Sequence, residues 1–157
     1  MIFVSVGTNE ARFDRLLREV AALPVDEELV IQHGHSTPVP VPNAELIDFL
    51  SFEAMGETIR RARAFVTHAG VGSVMVGLAN GKRPIVVPRL KAFGEAVDDH
   101  QLQLGRRFAE AGLVTLVETP DAIGKALERD QPAATVIPAA SSLANDVRRF
   151  LEASVAV

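Results

Sequence analysis

Thr67-His68-Ala69-Gly70-Val71-Gly72-Ser73 holds the densest chemistry in the chain. The apolar run Ala64–Thr67 ends at a histidine and a glycine-rich turn follows. Val71, Val74, Met75 and Leu78 then recur at helical spacing up to a stop at Gly81, before a second apolar run, Pro84–Val87. The pattern predicts a strand–helix–strand unit whose turn receives an anion. Glycines let backbone N–H groups approach a ligand closely. The helix beginning near Gly72-Ser73 adds unpaired N–H donors and the positive end of its dipole, which suits a phosphate or diphosphate. Ser73 offers a hydroxyl, and His68 stands at the carboxyl end of its strand, where open α/β sheets bind ligands. On these residues alone a second reading stays open, in which Gly70 and Gly72 make a tight turn, Ser73 caps the helix and His68 is a satisfied loop histidine.

Other constellations fall short of their chemistry. A nicotinamide-type site needs G-x-G-x-x-G after the first strand, but that turn holds Gly7 alone, and Met75 stands where the third glycine of the Gly70-Val71-Gly72 turn would be. No phosphate-binding G-x-x-x-x-G-K-[ST] loop occurs, and Ser73 lacks the G-x-S-x-G elbow of a hydrolase. Of the four histidines only His33 and His35 are close in sequence, and they sit in a turn and not at metal-ligand spacing on a helix, so no metal is expected. Asp98-Asp99 reads first as the start of a helix. Gln101, one turn in, offers a donor and an acceptor to sugar hydroxyls or is a solvated helix-start glutamine.

These residues need a scaffold. Ile2–Val6, Glu28–Gln32, Glu45–Phe49, Ala64–Thr67, Pro84–Val87 and Leu113–Val117 read as strands. Between them lie a helix with Phe13, Leu16, Leu17 and Val20 on one face, a helix over Phe52–Ala62 with Met55 and Ile59 inward, the helix after Gly72, and one from Asp98 to Ala111. Arg89–Asp98 forms a long polar loop of the kind that is often functional. Asp121–Arg129 and Ser141–Ala153 are predicted helices, with Pro132 and Pro138 between them. The alternation implies an α/β, doubly wound, mostly parallel Rossmann-like sheet. Its ligand crevice would be lined by Gly7-Thr8, His33–Ser36, Phe49-Leu50, His68–Ser73 and Pro88–Gln101.

The 157 residues, 48% hydrophobic, fit one domain over residues 1–157. A net charge of −4 and no dense Lys/Arg cluster argue against a nucleic-acid partner. The lack of cysteine is compatible with a cytoplasmic location, and no stretch approaches the roughly 20 apolar residues of a membrane span.

Taken in order, several segments resemble the C-terminal, sugar-nucleotide-binding half of family 28 glycosyltransferases. They are Gly7-Thr8, Phe13-Asp14-Arg15-Leu16, Ile31-Gln32 with Gly34 and Ser36, Phe49-Leu50-Ser51-Phe52, Thr67–Ser73, Gly81–Pro88 and Phe93–Gln101. The likeness covers roughly residues 1–117 and is strongest to the small soluble subunit of two-part N-acetylglucosaminyl- and related transferases. Those transferases act in dolichol-linked oligosaccharide or bacterial exopolysaccharide synthesis. The resemblance implies the C-terminal half of a GT-B fold that binds a UDP-sugar. It implies His68, Gly70, Gly72 and Ser73 at the diphosphate, and Phe49, Leu50, Met55 and Val76 on the nucleobase and ribose side. It further implies Asp99 and Gln101 at the donor sugar and Gly7 and Thr8 facing the cleft.

In the family a glutamate that bonds the ribose usually occupies the position of Val76, and an aliphatic side chain accepts no such bond. The resemblance therefore implies either a donor-binding subunit of an inverting transferase or a non-catalytic nucleotide-sugar-binding or regulatory subunit. Since a full GT-B enzyme has two lobes, it also implies a membrane-associated partner subunit that binds a lipid-linked saccharide acceptor and holds this chain at the membrane. The departing UDP would be stabilised by the helix dipole and His68 in place of a metal.

Overall fold

Strands that are apolar without interruption are buried on both faces, and this decides how they assemble. The computed structural model describes residues 1–24 and 26–129. Its strands are β1 (Ile2–Ser5), β2 (Leu29–Gln32), β3 (Ala44–Ile47), β4 (Ala64–His68), β5 (Ile85–Val87) and β6 (Thr115–Leu116). They form one sheet in the order β3-β2-β1-β4-β5-β6, and every pairing is parallel where the sequence implied a mostly parallel sheet. The helices are α1 (Asp14–Ala21), α2 (Phe52–Arg61), α3 (Val71–Ala79), α4 (His100–Glu110) and α5 (Ile123–Glu128).

Alternate side chains of the strands supply the two core layers. Ile2, Val4, Ile31, Val66 and Ile85 face Leu16, Leu17 and Val20 of α1 and Ile123 and Leu127 of α5. On the other face Phe3 and Phe65 stack with ring centroids 5.3 Å apart and pack with Ile59 of α2, while Val86 meets Val74 of α3 and Phe108 of α4. The chain winds outward from β1 to β3, then returns to lay β4 against β1 on its other side. The connections leaving β1 and β4 therefore diverge side by side, which opens a crevice at their carboxyl ends.

Several boundaries differ from the sequence expectation for identifiable reasons. The third strand was expected over Glu45–Phe49 but stops at Ile47. There the Asp48 carboxylate accepts the Phe49 N–H, and the Asp48 carbonyl accepts from Gln32 Nε2 and the Gly34 N–H. The helix expected from Asp98 starts at His100. Asp98 Oδ1 takes the His100 N–H and Asp99 Oδ1 takes the Lys91 N–H, so both acids stand before the helix. The expected Asp121–Arg129 helix divides into a 3-10 turn with Pro120 at its start and α5. The sixth strand shrinks to Thr115–Leu116, which among the described residues pairs only with β5. The expected C-terminal helix, with Pro132 and Pro138, lies outside the described residues.

Candidate nucleotide-binding site

His68 ends β4 and its ring organises the turn that follows. Nδ1 accepts the Gly70 N–H at 3.0 Å, and Nε2 lies 2.8 Å from Ser73 Oγ. A backbone N–H can only donate, so Nδ1 is unprotonated and the neutral ring carries its hydrogen on Nε2, donating it to Ser73. The Ser73 hydroxyl hydrogen is thereby left to point elsewhere. Burial, helped by the nearby Arg89 charge and opposed by Gln101, pushes the His68 pKa from 6.5 down to about 4. His68 is thus a neutral positioning group at pH 7, and any charge stabilisation passes through Ser73 and the backbone.

Two glycines make room for that ring. A Cβ on Gly70 or on Gly7 would overlap the imidazole, and Gly7 also needs its φ of +80°. The β1 and β4 loops are thus keyed together through His68. From the β2 side, Gln32 Oε1 accepts from Ser5 Oγ at 2.6 Å, while its Nε2 donates to the carbonyls of Gly7 and Asp48. One buried amide therefore ties the ends of three neighbouring strands.

Helix α3 begins at Val71 with Gly70 at its cap, and no side chain caps it. Ser73 is accordingly not the cap; it belongs to the first turn and is held by His68. The first-turn N–H groups face the crevice with the dipole's positive end, a combination that favours an anion. Gly72 is exposed, and a Cβ there would meet nothing within 4 Å, so the backbone is open to close approach.

Two cavities flank this helix end. One, of about 400 Å³, is walled by Gly7, Thr8, Gly72, Ser73, Met55 and Val76. The other, of about 390 Å³, lies toward α4 and is walled by Gly70, Val71, Asp98, His100 and Gln101 among others. Phe49, 44% exposed, and Leu50, partly buried, stand in the connection that leads into α2. Asp99 lines neither cavity, its carboxylate being occupied by Lys91, whereas the neighbouring Asp98 does. The His33 ring lies against the adjacent Gly34 carbonyl through Nδ1, and His35 packs edge-on against Phe49. Among the described residues no group of three or more His, Asp or Glu could hold a metal ion.

Gln101 reaches the site through a device that local pattern did not reveal. Its Oε1 accepts the Arg89 N–H at 3.1 Å, which fixes the amide so that Nε2 faces His68 Nδ1 at 3.4 Å. Arg89, only 1% exposed, donates to the carbonyls of Val6, Ala11 and Glu95. Among the described residues its Nε has no partner, and the guanidinium lies 4.8 Å over the Phe13 ring. Glu95, 3% exposed, accepts a bidentate pair from Arg15 and the Leu90 N–H. The 89–99 loop is thus bolted to the start of α1. The only sequence signal was a cation and an anion inside a loop that otherwise reads as solvated.

A parallel α/β sheet with an uncapped helix end at its switch point defines a lobe of Rossmann-like type. The match of residues 1–154 to the glycosyltransferase family 28 C-terminal domain places this chain in that family. It is 33% identical over 129 residues to UDP-glucosyltransferase 1 of Beauveria bassiana (strain ARSEF 2860), covering 76% of this chain and 26% of that protein. It is 30% identical over 123 residues to the human UDP-N-acetylglucosamine transferase subunit ALG13, covering 71% of this chain and 10% of that protein. The chain therefore spans about a quarter and a tenth of these curated relatives. Among solved structures it resembles the calicheamicin glycosyltransferase CalG4, with a TM-score of 0.61 at 24% identity over 96% of this chain and 36% of that one. It also resembles MurG of Acinetobacter baumannii, with a TM-score of 0.55 at 19% identity over 80% of this chain and 40% of that one. The fold is accordingly that of one half of a GT-B glycosyltransferase.

Proposed function

We propose that residues 1–157 form one sugar-nucleotide-binding domain, the donor-binding subunit of a UDP-sugar-dependent inverting glycosyltransferase that acts with a second, acceptor-binding subunit. The observation that carries this reading is the uncapped α3 amino end, with the Ser73 hydroxyl oriented by a neutral His68, set between two cavities. A diphosphate at that end is met by backbone N–H groups and one O–H, so the charge that grows on the leaving UDP finds donors already in place. In the transfer, an acceptor hydroxyl attacks the anomeric carbon from the face opposite the diphosphate, the bond to the diphosphate oxygen breaks, and the hydroxyl proton passes to a base on the other subunit. The step as written uses no metal.

Hexosyl or N-acetylglucosaminyl transfer to a lipid-linked saccharide is the reading favoured by similarity to relatives named for UDP-glucose and UDP-N-acetylglucosamine transfer, one of them a subunit. Among the described residues no helix is long and apolar enough to cross a membrane, so a membrane-associated partner would bring the chain to such an acceptor on the cytoplasmic side. Polar groups for the sugar are Gln101, with Asp98 on the cavity wall and Asp99 behind it. Calorimetric titration with UDP tests the core of the proposal. The intact chain should bind, and Ser73→Ala should weaken binding by about tenfold in a chain that stays folded, its melting temperature falling by a few degrees for the orphaned His68 N–H. A chain that releases no heat with UDP sinks it, as does full turnover by this chain alone.

The apolar lining at Met55 and Val76 favours a second reading, a non-catalytic nucleotide-sugar-binding or regulatory subunit. Binding without turnover in the reconstituted pair would select it.

A further inference from the structure

The two cavities at the amino end of α3 differ in the chemistry of their walls. The one toward α4 carries Asn9, Asp98, His100 and Gln101, donors and acceptors suited to a polyhydroxyl group. The other runs along α3 to Met55 and Val76. A diphosphate held at the shared helix end directs one substituent into each cavity, so the glycosyl group takes the polar side and the nucleoside the apolar side. This assignment rests on the diphosphate reading above.

The pentose joined to that diphosphate comes next along the helix. Val76 follows Gly72 and Ser73 by one turn, about 5.4 Å, and lines the same cavity. At that depth the wall is an isopropyl group from α3 and a thioether from α2, and neither offers a strong acceptor to sugar hydroxyls. Of the polar lining residues, Thr8 and Asn9 follow Gly7, which abuts the His68 ring, while His68 ends β4 and Ser73 opens α3; all four thus gather at the phosphate end, and His68 and Ser73 already bond each other. A 2′-hydroxyl placed against Met55 and Val76 gains no partner there and loses water.

We infer that the site reads the nucleoside by apolar contact and does not recognise its 2′-hydroxyl, so that 2′-deoxyribonucleoside diphosphate sugars are donors on the same footing as ribonucleoside ones. The consequence is a donor class wider than UDP-sugars.

The experiment is a calorimetric titration of the whole chain with UDP and with 2′-deoxy-UDP, in the unaltered protein and in Val76→Glu. Dissociation constants within about threefold of each other in the unaltered chain, or tighter for the deoxy form, are expected. Val76→Glu should then favour UDP over the deoxy form by about tenfold, because a carboxylate at that wall accepts from the hydroxyl. A preference for UDP above about threefold in the unaltered chain overturns the inference while leaving the diphosphate reading intact. Failure of both nucleotides to bind overturns both. The comparison in the unaltered chain decides even if Val76→Glu does not fold.

Discussion

Two loops meet at the α3 amino end and are built on opposite principles. The β4–α3 turn is two residues long, and its shape is set by its own backbone and by the His68 ring that folds back onto Gly70 and Ser73. The β5–α4 loop is much longer and has little regular structure beyond the 3-10 turn Lys91–Phe93. It is held by Arg89, Glu95 and Arg15, which reach across to the β1 and α1 side. The first loop therefore fails locally when a glycine changes, and the second fails all at once when its buried cation is lost. The short turn and the long loop are both registered on the same imidazole, through Gly70 and Gln101.

Breaking the long loop should have the largest effect. Arg89→Ala removes the donor to the carbonyls of Val6, Ala11, Arg12 and Glu95 and the stacking on Phe13, and the orphaned buried acceptors and the void should together cost about 3–5 kcal/mol in urea denaturation. If that variant unfolds at the wild-type midpoint, the loop is not held as described. Gly70→Ala probes the short turn. The added methyl overlaps the His68 ring, and the overpacking should cost about 1–3 kcal/mol and displace Ser73.

Acid separates the two loops further. The folded state depresses the His68 pKa, so stability is complete above 6.5 and falls as the pH drops toward about 4, where the unfolded chain takes up a proton that the folded one refuses. The slope in that window should approach about 1.4 kcal/mol per pH unit, and it should vanish in His68→Asn, whose side-chain carbonyl still accepts the Gly70 N–H. The ion pairs of Glu27 and Glu118, whose carboxyls Arg63 and Arg106 hold below 4.5, add their acid loss as the pH falls through 4.5, so the His68 slope is read between 6.5 and about 5. Equal slopes in both proteins would refute the neutral-imidazole assignment. The smallest effect on stability belongs to Gly72→Ala, expected to stabilise by about 0.5–1 kcal/mol because the position is helical and open, while UDP affinity falls by about tenfold. Opposite signs in the melt and the titration would mark Gly72 as a ligand-approach position; a variant that gains stability and keeps its affinity would show that the diphosphate sits elsewhere.

The short turn was legible in sequence because its determinants are neighbours: His68, Gly70, Gly72 and Ser73 act within six residues, and glycine and helix-start chemistry are local. The alternation of apolar strands and amphipathic helices likewise announced the parallel sheet. Pairings such as Gln32 with Ser5 and Gly7 left no comparable trace, since nothing in a local window says which acceptor a buried amide will find.

By itself, then, the sequence determined the α/β layering, the position of the glycine-rich turn and the family, because each follows from short-range periodicity or an ordered set of motifs. Only the tertiary structure decided that His68 is neutral and aims Ser73, that Asp99 braces a loop while Asp98 faces the cavity, and that Arg89 sits buried beneath the site. Those outcomes depend on desolvation and on partners up to 83 residues away, which exist only once the strands have been brought into order.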